Sequence, residues 1–206
     1  MFAMQKHIKQ PGFSNIMDFK KEMAVIRRDF DREELLREEL ISRSRNVIRL
    51  SKKVIYSVHR SDLRAAKSEL LAMRKAKSAL MGPGAGKVEP NIINVALMEY
   101  AEALIFYQYA VSGSIPGRKS LGVDNESYLL GLIDAVGEIT RRAVNSALKE
   151  EYSVVPASRE FVAQVYHELM QFDFRNSELR RKFDGIKWEL KKLEDLSIEL
   201  KLKGKI

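Results

Sequence analysis

The sequence predicts an all-α fold, a bundle of about six to seven long helices. Three observations carry that prediction. Only five prolines occur (Pro11, Pro83, Pro90, Pro116 and Pro156), and they leave long proline-free blocks rich in Glu, Arg, Leu and Lys, all good helix formers. Within those blocks apolar residues recur at helical spacing. No segment alternates with a period of two, so no strand competes.

The first helix is expected from about Asp18 to about Arg60. Val47, Leu50, Val54 and Val58 mark its apolar stripe, widened by Ile48 and Ile55. Forty-odd residues of helix reach roughly 60 Å at ~1.5 Å per residue. Ser61 is the expected cap of a second helix, which carries Leu63, Leu70, Leu71 and Met73 to about Leu80. MGPGAGK (81–87) then breaks the chain. It is not a phosphate loop: three residues separate Gly82 and Gly86 where four are needed, and Val88 follows Lys87 where Ser or Thr is required. The third helix runs from about Pro90, well suited to a first turn, to about Ser112. GSIPGRKSLG (113–122) reads as a loop, and a fourth helix follows from about Asn125 to Glu150. Pro156 opens a fifth, to about Phe172. Asn176 or Ser177 caps the last, whose Leu179, Phe183, Ile186, Leu190, Leu193 and Leu200 follow 4-3 spacing with Ser197 in the skipped place. That is a narrow seam, suited to packing along another helix.

The 206 residues suffice for one domain, taken as 1–206 with 1–17 as a poorly packed N-terminal segment. With 45% apolar and 31% charged residues, the composition is that of a soluble globular chain. Cysteine is absent, which excludes disulfides, thiolate metal sites and a Cys nucleophile. The three histidines (His7, His59 and His167) are too scattered for a His-rich zinc site, and each of the last two reads as a packing or hydrogen-bonding residue. Trp188 reads as core or interface. No stretch is long and apolar enough to span a bilayer, and the start lacks the features of a signal peptide, so a cytoplasmic location is expected. The net charge of +8 favours a polyanionic partner.

Four carboxylates stand where the chain otherwise avoids charge. Between Asn91 and Pro116 the only charged residues are Glu99 and Glu102, three apart and so on one helical face. Between Ser127 and Thr140 the only charges are Asp134 and Glu138, four apart and again on one face. Adjacent buried carboxylates repel and are costly unless something positive lies between them. Mg²⁺ or Mn²⁺ would suit such an oxygen-only set, and Gly131 and Gly137 would let the two backbones approach. Structural salt bridges, with Arg141 and Arg142 as donors, account for the acids equally well. A di-iron bundle fits poorly. It needs Glu-x-x-His, and the residues three beyond Glu99 and Glu138 are Glu102 and Arg141.

From Arg43 to Arg60 there are six basic residues and no acid. Arg45, Arg49 and Lys52 share a face, with Lys53 beside them, dense enough to track a phosphate backbone. A solvated face, or a partner for the acidic run Asp29–Glu39 of another chain, is the plainer reading. Arg180, Arg181 and Lys182 are mixed with Glu178 and Asp184 and read as ordinary surface.

Four segments resemble the translin/TRAX family: SKKVIYSVHR (51–60), EYAEA (99–103), YLLGLIDAVGEITRRAVNSA (128–147) and FRNSELRRKFDGIKWELKKLEDLSIELKLKG (174–204). They occur in the family's order, from about Asp18 to Gly204. In that family translin binds nucleic acid. TRAX supplies the metal-dependent RNase activity of a complex that cleaves RNA inside a hollow octameric barrel. Its acids lie in EYVEA and ADLTGE motifs, matched here by Glu99 and Glu102 and, in IDAVGE, by Asp134 and Glu138. The family's GELMR arginine matches Arg141. The long TRAX insert after EYVEA is missing, and PNIINVALM replaces translin's basic HEHWR-like stretch. The chain thus resembles a compact TRAX, as an archaeal member would be.

The resemblance implies a Mg²⁺- or Mn²⁺-dependent endoribonuclease assembling as a homo-octamer. Glu99, Glu102, Asp134 and Glu138 would be catalytic residues and metal ligands. Arg141 with Arg45, Arg49, Lys52 and Lys53 would hold single-stranded or short duplex RNA. The alternative is a non-catalytic translin-like protein that binds single-stranded RNA or DNA. No membrane association is expected.

Overall fold

The computed structural model describes residues 13–82, 90–175 and 177–206. Among them all regular structure is helical: α1 (Phe13–His59), α2 (Leu63–Leu80), α3 (Pro90–Ser112), α4 (Arg118–Leu121), α5 (Asn125–Leu148), α6 (Val154–Leu169) and α7 (Glu178–Leu202). The all-α expectation holds. The short α4 is one turn inside a segment expected to be loop, and it ends on Gly122 in the left-handed region, φ 62°. Most of the 81–87 connection, the cap candidate Asn176 and residues 1–12 of the N-terminal segment lie outside the described residues. Among the described residues no helix is long and apolar enough to cross a membrane.

Capping explains where the helices begin. Asp62, and not Ser61, caps α2: its carboxylate accepts from the Ala65 N–H at 3.0 Å, while Ser61 turns the chain at φ 61°. Asp124 caps α5 by accepting from the Ser127 N–H at 2.8 Å. Ser177 caps α7, accepting from the Arg180 N–H at 3.4 Å. α6 starts two residues earlier than Pro156 suggests, which puts that proline in the first turn, where no N–H is needed.

By contact the chain forms two units, residues 1–39 and 40–206. In the first, the described residues belong to α1 and are mostly exposed, with local ion pairs Lys21–Asp18 at 3.9 Å and Arg37–Glu34 at 3.5 Å.

The second unit is the packed bundle. α3 and α5 form its most extensive helix pair, α7 lies against both α5 and α6, and α2 lies against α3. Residues 101–106 of α3 are buried in succession, as a helix is when neighbours cover it all round. Of the stripe read from α1, Val47, Val54, Ile55 and Val58 are buried, while Ile48 and Leu50 are half-buried. Two serines share this inner face without being orphaned. Ser44 donates to the Ile92 carbonyl at 2.7 Å, and Ser51 to the Val47 carbonyl at 3.1 Å. The α7 seam buries Phe183, Ile186, Leu193 and Leu200, with Leu179, Leu190 and Ser197 half-buried. Trp188 is 59% exposed and is no part of this core.

Only one of the two glycines singled out in α5 sets a close approach. A Cβ at Gly131 would lie 2.7 Å from both Ala101 Cβ and the Met98 carbonyl, and 2.8 Å from the Glu102 backbone nitrogen. A Cβ at Gly137 would meet nothing within 4 Å. Gly131→Ala therefore has to push α5 away from α3. It is expected to cost about 1–3 kcal/mol. Gly137→Ala is expected to be neutral or to stabilise by about 0.5–1 kcal/mol, because glycine is a poor helix former. Urea unfolding of the two variants beside the wild type checks both, and equal effects would contradict the contact at Gly131.

Candidate functional site between α3 and α5

The Gly131 contact decides what faces what. It sets the α5 backbone against the α3 turn that carries Glu99 and Glu102, and Asp134 follows one turn later on α5. Burial, then the charges of Asp134, Glu99 and Glu138, push the Glu102 carboxyl up to about 8, with Lys182 only partly offsetting them. Burial also raises Glu99; Lys52 opposes this, Asp134 adds to it, and Lys182 opposes it. The two acid pairs read from the sequence therefore lie in one electrostatic neighbourhood.

Basic side chains from three helices meet three of the four acids. Lys182 Nζ of α7 donates to Asp134 Oδ2 at 2.5 Å and lies 3.5 Å from Met98 Sδ. Glu138 Oε2 is 2.5 Å from His59 Nε2, at the end of α1, and 2.7 Å from Arg141 Nη2, one turn along α5. Arg141 Nε is also 3.0 Å from the same His59 nitrogen. His59 is packed on Phe106, ring centroids 4.8 Å apart, and its Nδ1 is buried without a hydrogen-bond partner. Lys52 Nζ approaches Glu99 Oε1 at 3.9 Å. Among the described residues no hydrogen bond or salt bridge reaches the Glu102 carboxyl, although this residue is only 9% exposed.

A cleft of about 310 Å³ opens onto these groups, lined by Lys52, Ile55, Tyr56, Glu99, Glu102, Glu138 and Arg141. A second, of about 460 Å³, shares Lys52 and Tyr56 with it and adds Lys53 and Arg60. Of the basic residues read as backbone-binding, Lys52 and Arg141 thus stand at the acids and Lys53 beside them. Arg45 and Arg49 are exposed further back along α1 and line neither cleft, and Arg49 donates to Asn46 Oδ1 at 2.8 Å.

Two participants were not legible as such. Lys182 reads as surface in a mixed-charge run, yet it immediately precedes Phe183 of the α7 seam, so a long side chain there flanks the helix contact. His59 likewise follows Val58 of the buried α1 stripe. The donor chemistry suits a hard divalent ion: the four groups offer oxygen only, and the Glu102 carboxyl has no direct ionic partner. As the side chains stand, the acids are engaged by Lys182, His59 and Arg141. Among the described residues no three acid or histidine side chains are grouped to hold one ion.

The helical bundle is shared with known proteins. A sequence profile of the Translin family matches residues 91–204, and the chain belongs to that family. An uncharacterised protein of Methanocaldococcus jannaschii is 29% identical over 153 residues, 72% of this chain and 69% of that one. Human translin is 30% identical over 95 residues, 46% of this chain and 42% of translin, so the chain spans less than half of that relative's length. Among solved structures, apo-NeC3PO superposes with a TM-score of 0.77 at 27% identity, over 92% of this chain and 98% of that one. AfC3PO in complex with duplex RNA has the same fold, with a TM-score of 0.78 at 24% identity over 88% and 97% of the two chains.

The Glu102 environment has a thermodynamic consequence. Its carboxyl titrates near 8 when folded and in the ordinary carboxylate range when unfolded. Protonated in both states, it costs nothing extra below that ordinary range. As pH rises toward 8 the unfolded state gives up the proton first, and stability is lost. Glu102→Gln removes this dependence. Its advantage over wild type in thermal or urea unfolding is expected to be negligible near pH 4 and to grow to on the order of 4 kcal/mol by pH 8. Parallel pH profiles would contradict the burial and mutual repulsion assigned to Glu102.

Proposed function

We propose that the protein binds RNA and cleaves it as a Mg²⁺- or Mn²⁺-dependent endoribonuclease, acting within a closed homo-oligomer of about eight chains. The observation that carries this is a cleft lined by Glu99, Glu102 and Glu138 together with Lys52 and Arg141, with Asp134 in the same electrostatic neighbourhood and facing the adjoining surface beside Lys182. Phosphate is the ligand such basic groups select, and a phosphodiester lying on them would have its phosphorus beside the acids. Family membership supports the reading, as does the duplex RNA held by a structure of the same fold.

Glu99, Glu102, Asp134 and Glu138 would hold the ion, which supplies Lewis-acid polarisation of the phosphate and a lower pKa for a bound water. Arg141 and Lys52 would hold non-bridging phosphate oxygens and offset the charge gathering on them. Glu138, oriented by His59 and Arg141, is the preferred base: one carboxylate oxygen takes a proton from the attacking water. The water oxygen bonds to phosphorus, one bond from phosphorus to a ribose oxygen breaks, and that oxygen takes a proton from solvent, while Glu138 returns its own to water. Lys53, with Arg45 and Arg49 further along α1, would bind the strand beyond the cleft independently of sequence and with strong salt dependence.

The ion pairs Lys182–Asp134 and Arg141–Glu138 favour a second reading, in which those acids are neutralised structurally and the protein binds RNA or single-stranded DNA without chemistry. Two measurements separate the readings. Asp134→Asn is expected to lower Mn²⁺- or Mg²⁺-dependent cleavage of single-stranded RNA at least about 100-fold while leaving salt-sensitive RNA retention intact. Undiminished cleavage would remove the site assignment, and retention without metal-dependent products from the wild type would favour the second reading. Mn²⁺ is also expected to raise the unfolding temperature of the wild type, and to raise that of Lys182→Met further, because the substitution leaves Asp134 without its cation. No shift in either protein would leave the acids to their ion pairs.

A further inference from the structure

The first unit of α1 presents an apolar stripe to solvent. Ile16, Phe19, Met23, Ile26 and Phe30 follow one another at 3-4-3-4 spacing, the a/d pattern of a two-heptad seam. All five are exposed, Phe19 by 63% and Phe30 by 67%. The same register runs on through Leu40, Ser44, Val47, Ser51, Val54 and Val58, every one of them buried within the second unit. One helical register is thus covered over its later positions and bare over its earlier ones, with Glu33 and Arg37 at the two places between. A row of large apolar side chains of this kind marks an interaction surface.

We propose that this stripe pairs in parallel and in register with the same stripe of a second copy of the chain. The flanking charges choose both the occupant and the direction. With Ile16, Met23 and Phe30 as a positions, the g positions 22 and 29 are Glu and Asp, and the e positions 20 and 27 are Lys and Arg. In a parallel pair each g residue faces the e residue five places later on the partner, so Glu22 meets Arg27 of the second copy in two symmetric pairs. Asp29 would face Glu34, but Glu34 is already paired with Arg37 of its own helix at 3.5 Å. An antiparallel pair would set g against g and e against e. It would bring Glu22 to Asp29 and Lys20 to Arg27, like charge against like charge on both flanks. A nucleic-acid ligand is disfavoured by the acids on one flank and by the oily centre.

Five large side chains about half exposed offer on the order of 400–500 Å² per copy. A self-sufficient dimer needs about 800 Å² per partner. The pairing therefore acts as one arm of a larger contact between copies, and proximity of the arms is the right readout. The inference adds one specific contact between copies to the homo-oligomer of that reading and does not depend on its chemistry.

The chain contains no cysteine, so single introduced thiols report without background. Phe19→Cys, Phe30→Cys and, as an off-seam control, Lys21→Cys are oxidised as full chains and resolved on non-reducing gels. Parallel pairing predicts a disulfide-linked dimer from Phe19→Cys alone and from Phe30→Cys alone, each several-fold above Lys21→Cys. Dimer no greater than the control in both seam variants overturns the proposal. Cross-linking only when the two seam variants are mixed also overturns it, because that is the antiparallel result. Charge gives an independent arm in the Phe30→Cys background. Glu22→Lys is expected to reduce the dimer yield several-fold, and adding Arg27→Glu to restore it. A rise in yield with Glu22→Lys alone overturns the proposal, since a Lys at position 22 facing Arg27 of the second copy can only weaken the parallel pair.

Discussion

The contact on which the site depends is the absence of a side chain at Gly131. Its α-carbon lies against the Met98 carbonyl, the Ala101 methyl and the Glu102 nitrogen, where even a methyl group would collide with backbone. Helices normally stand 8–10 Å apart because side chains fill the space between them. Removing one side chain at this point, with Ala101 opposite, lets α5 approach the α3 turn that carries two carboxylates. Two more carboxylates follow on α5 within the next two turns. Their mutual repulsion is a consequence of that approach.

Once the acids are together, the rest of the site follows from charge. Three helices supply the compensation: α1 through Lys52 and His59, α5 itself through Arg141, and α7 through Lys182. The compensation is uneven. Asp134 and Glu138 each have a close basic partner, Glu99 a looser one, and Glu102 none among the described residues; burial, then the charges of the neighbouring acids, hold the Glu102 proton into the neutral range. A structural salt-bridge network tends to leave no member unpaired, because an unpaired buried carboxylate is costly. Under the proposed nuclease reading, Glu102, beside a cleft that also exposes Lys52 and Arg141, is the carboxyl left free to engage an ion. It is also the feature that ties the proposed nuclease chemistry to these particular residues.

α1 shows how one sequence pattern can serve two ends. One 3-4 register runs from Ile16 to Val58, interrupted by Glu33 and Arg37, and only its positions from Leu40 onward are buried. After Leu40, serine and valine fill the covered part, and both serines hydrogen-bond to carbonyls. Phenylalanine, isoleucine and methionine fill the bare part. Large aromatic residues at exposed seam positions raise the cost of leaving the stripe in water, and flanking charges of opposite sign restrict what can cover it.

The sequence by itself determined the helical class, most helix limits to within a few residues, and the four acids. Each of these is a local property: propensity, periodicity, or the scarcity of charge in an apolar run. It also singled out Gly131, whose role needs only a neighbouring helix, though it named Gly137 with equal weight, because spacing along one helix does not say which position faces the partner. It put the α2 cap one residue early, since Ser61 and Asp62 are both good caps and only the backbone at φ 61° separates them. Arg141, one turn beyond Glu138, was legible as a donor to the acids; what only the tertiary structure decided is which basic residues of other helices meet them. Lys182 lies 48 residues from Asp134, and His59 lies 79 from Glu138. Lys182 looks like surface in its own segment because the charge it answers belongs to another helix. Pairing at such separations is set by how helices pack, and packing is written in the whole chain at once.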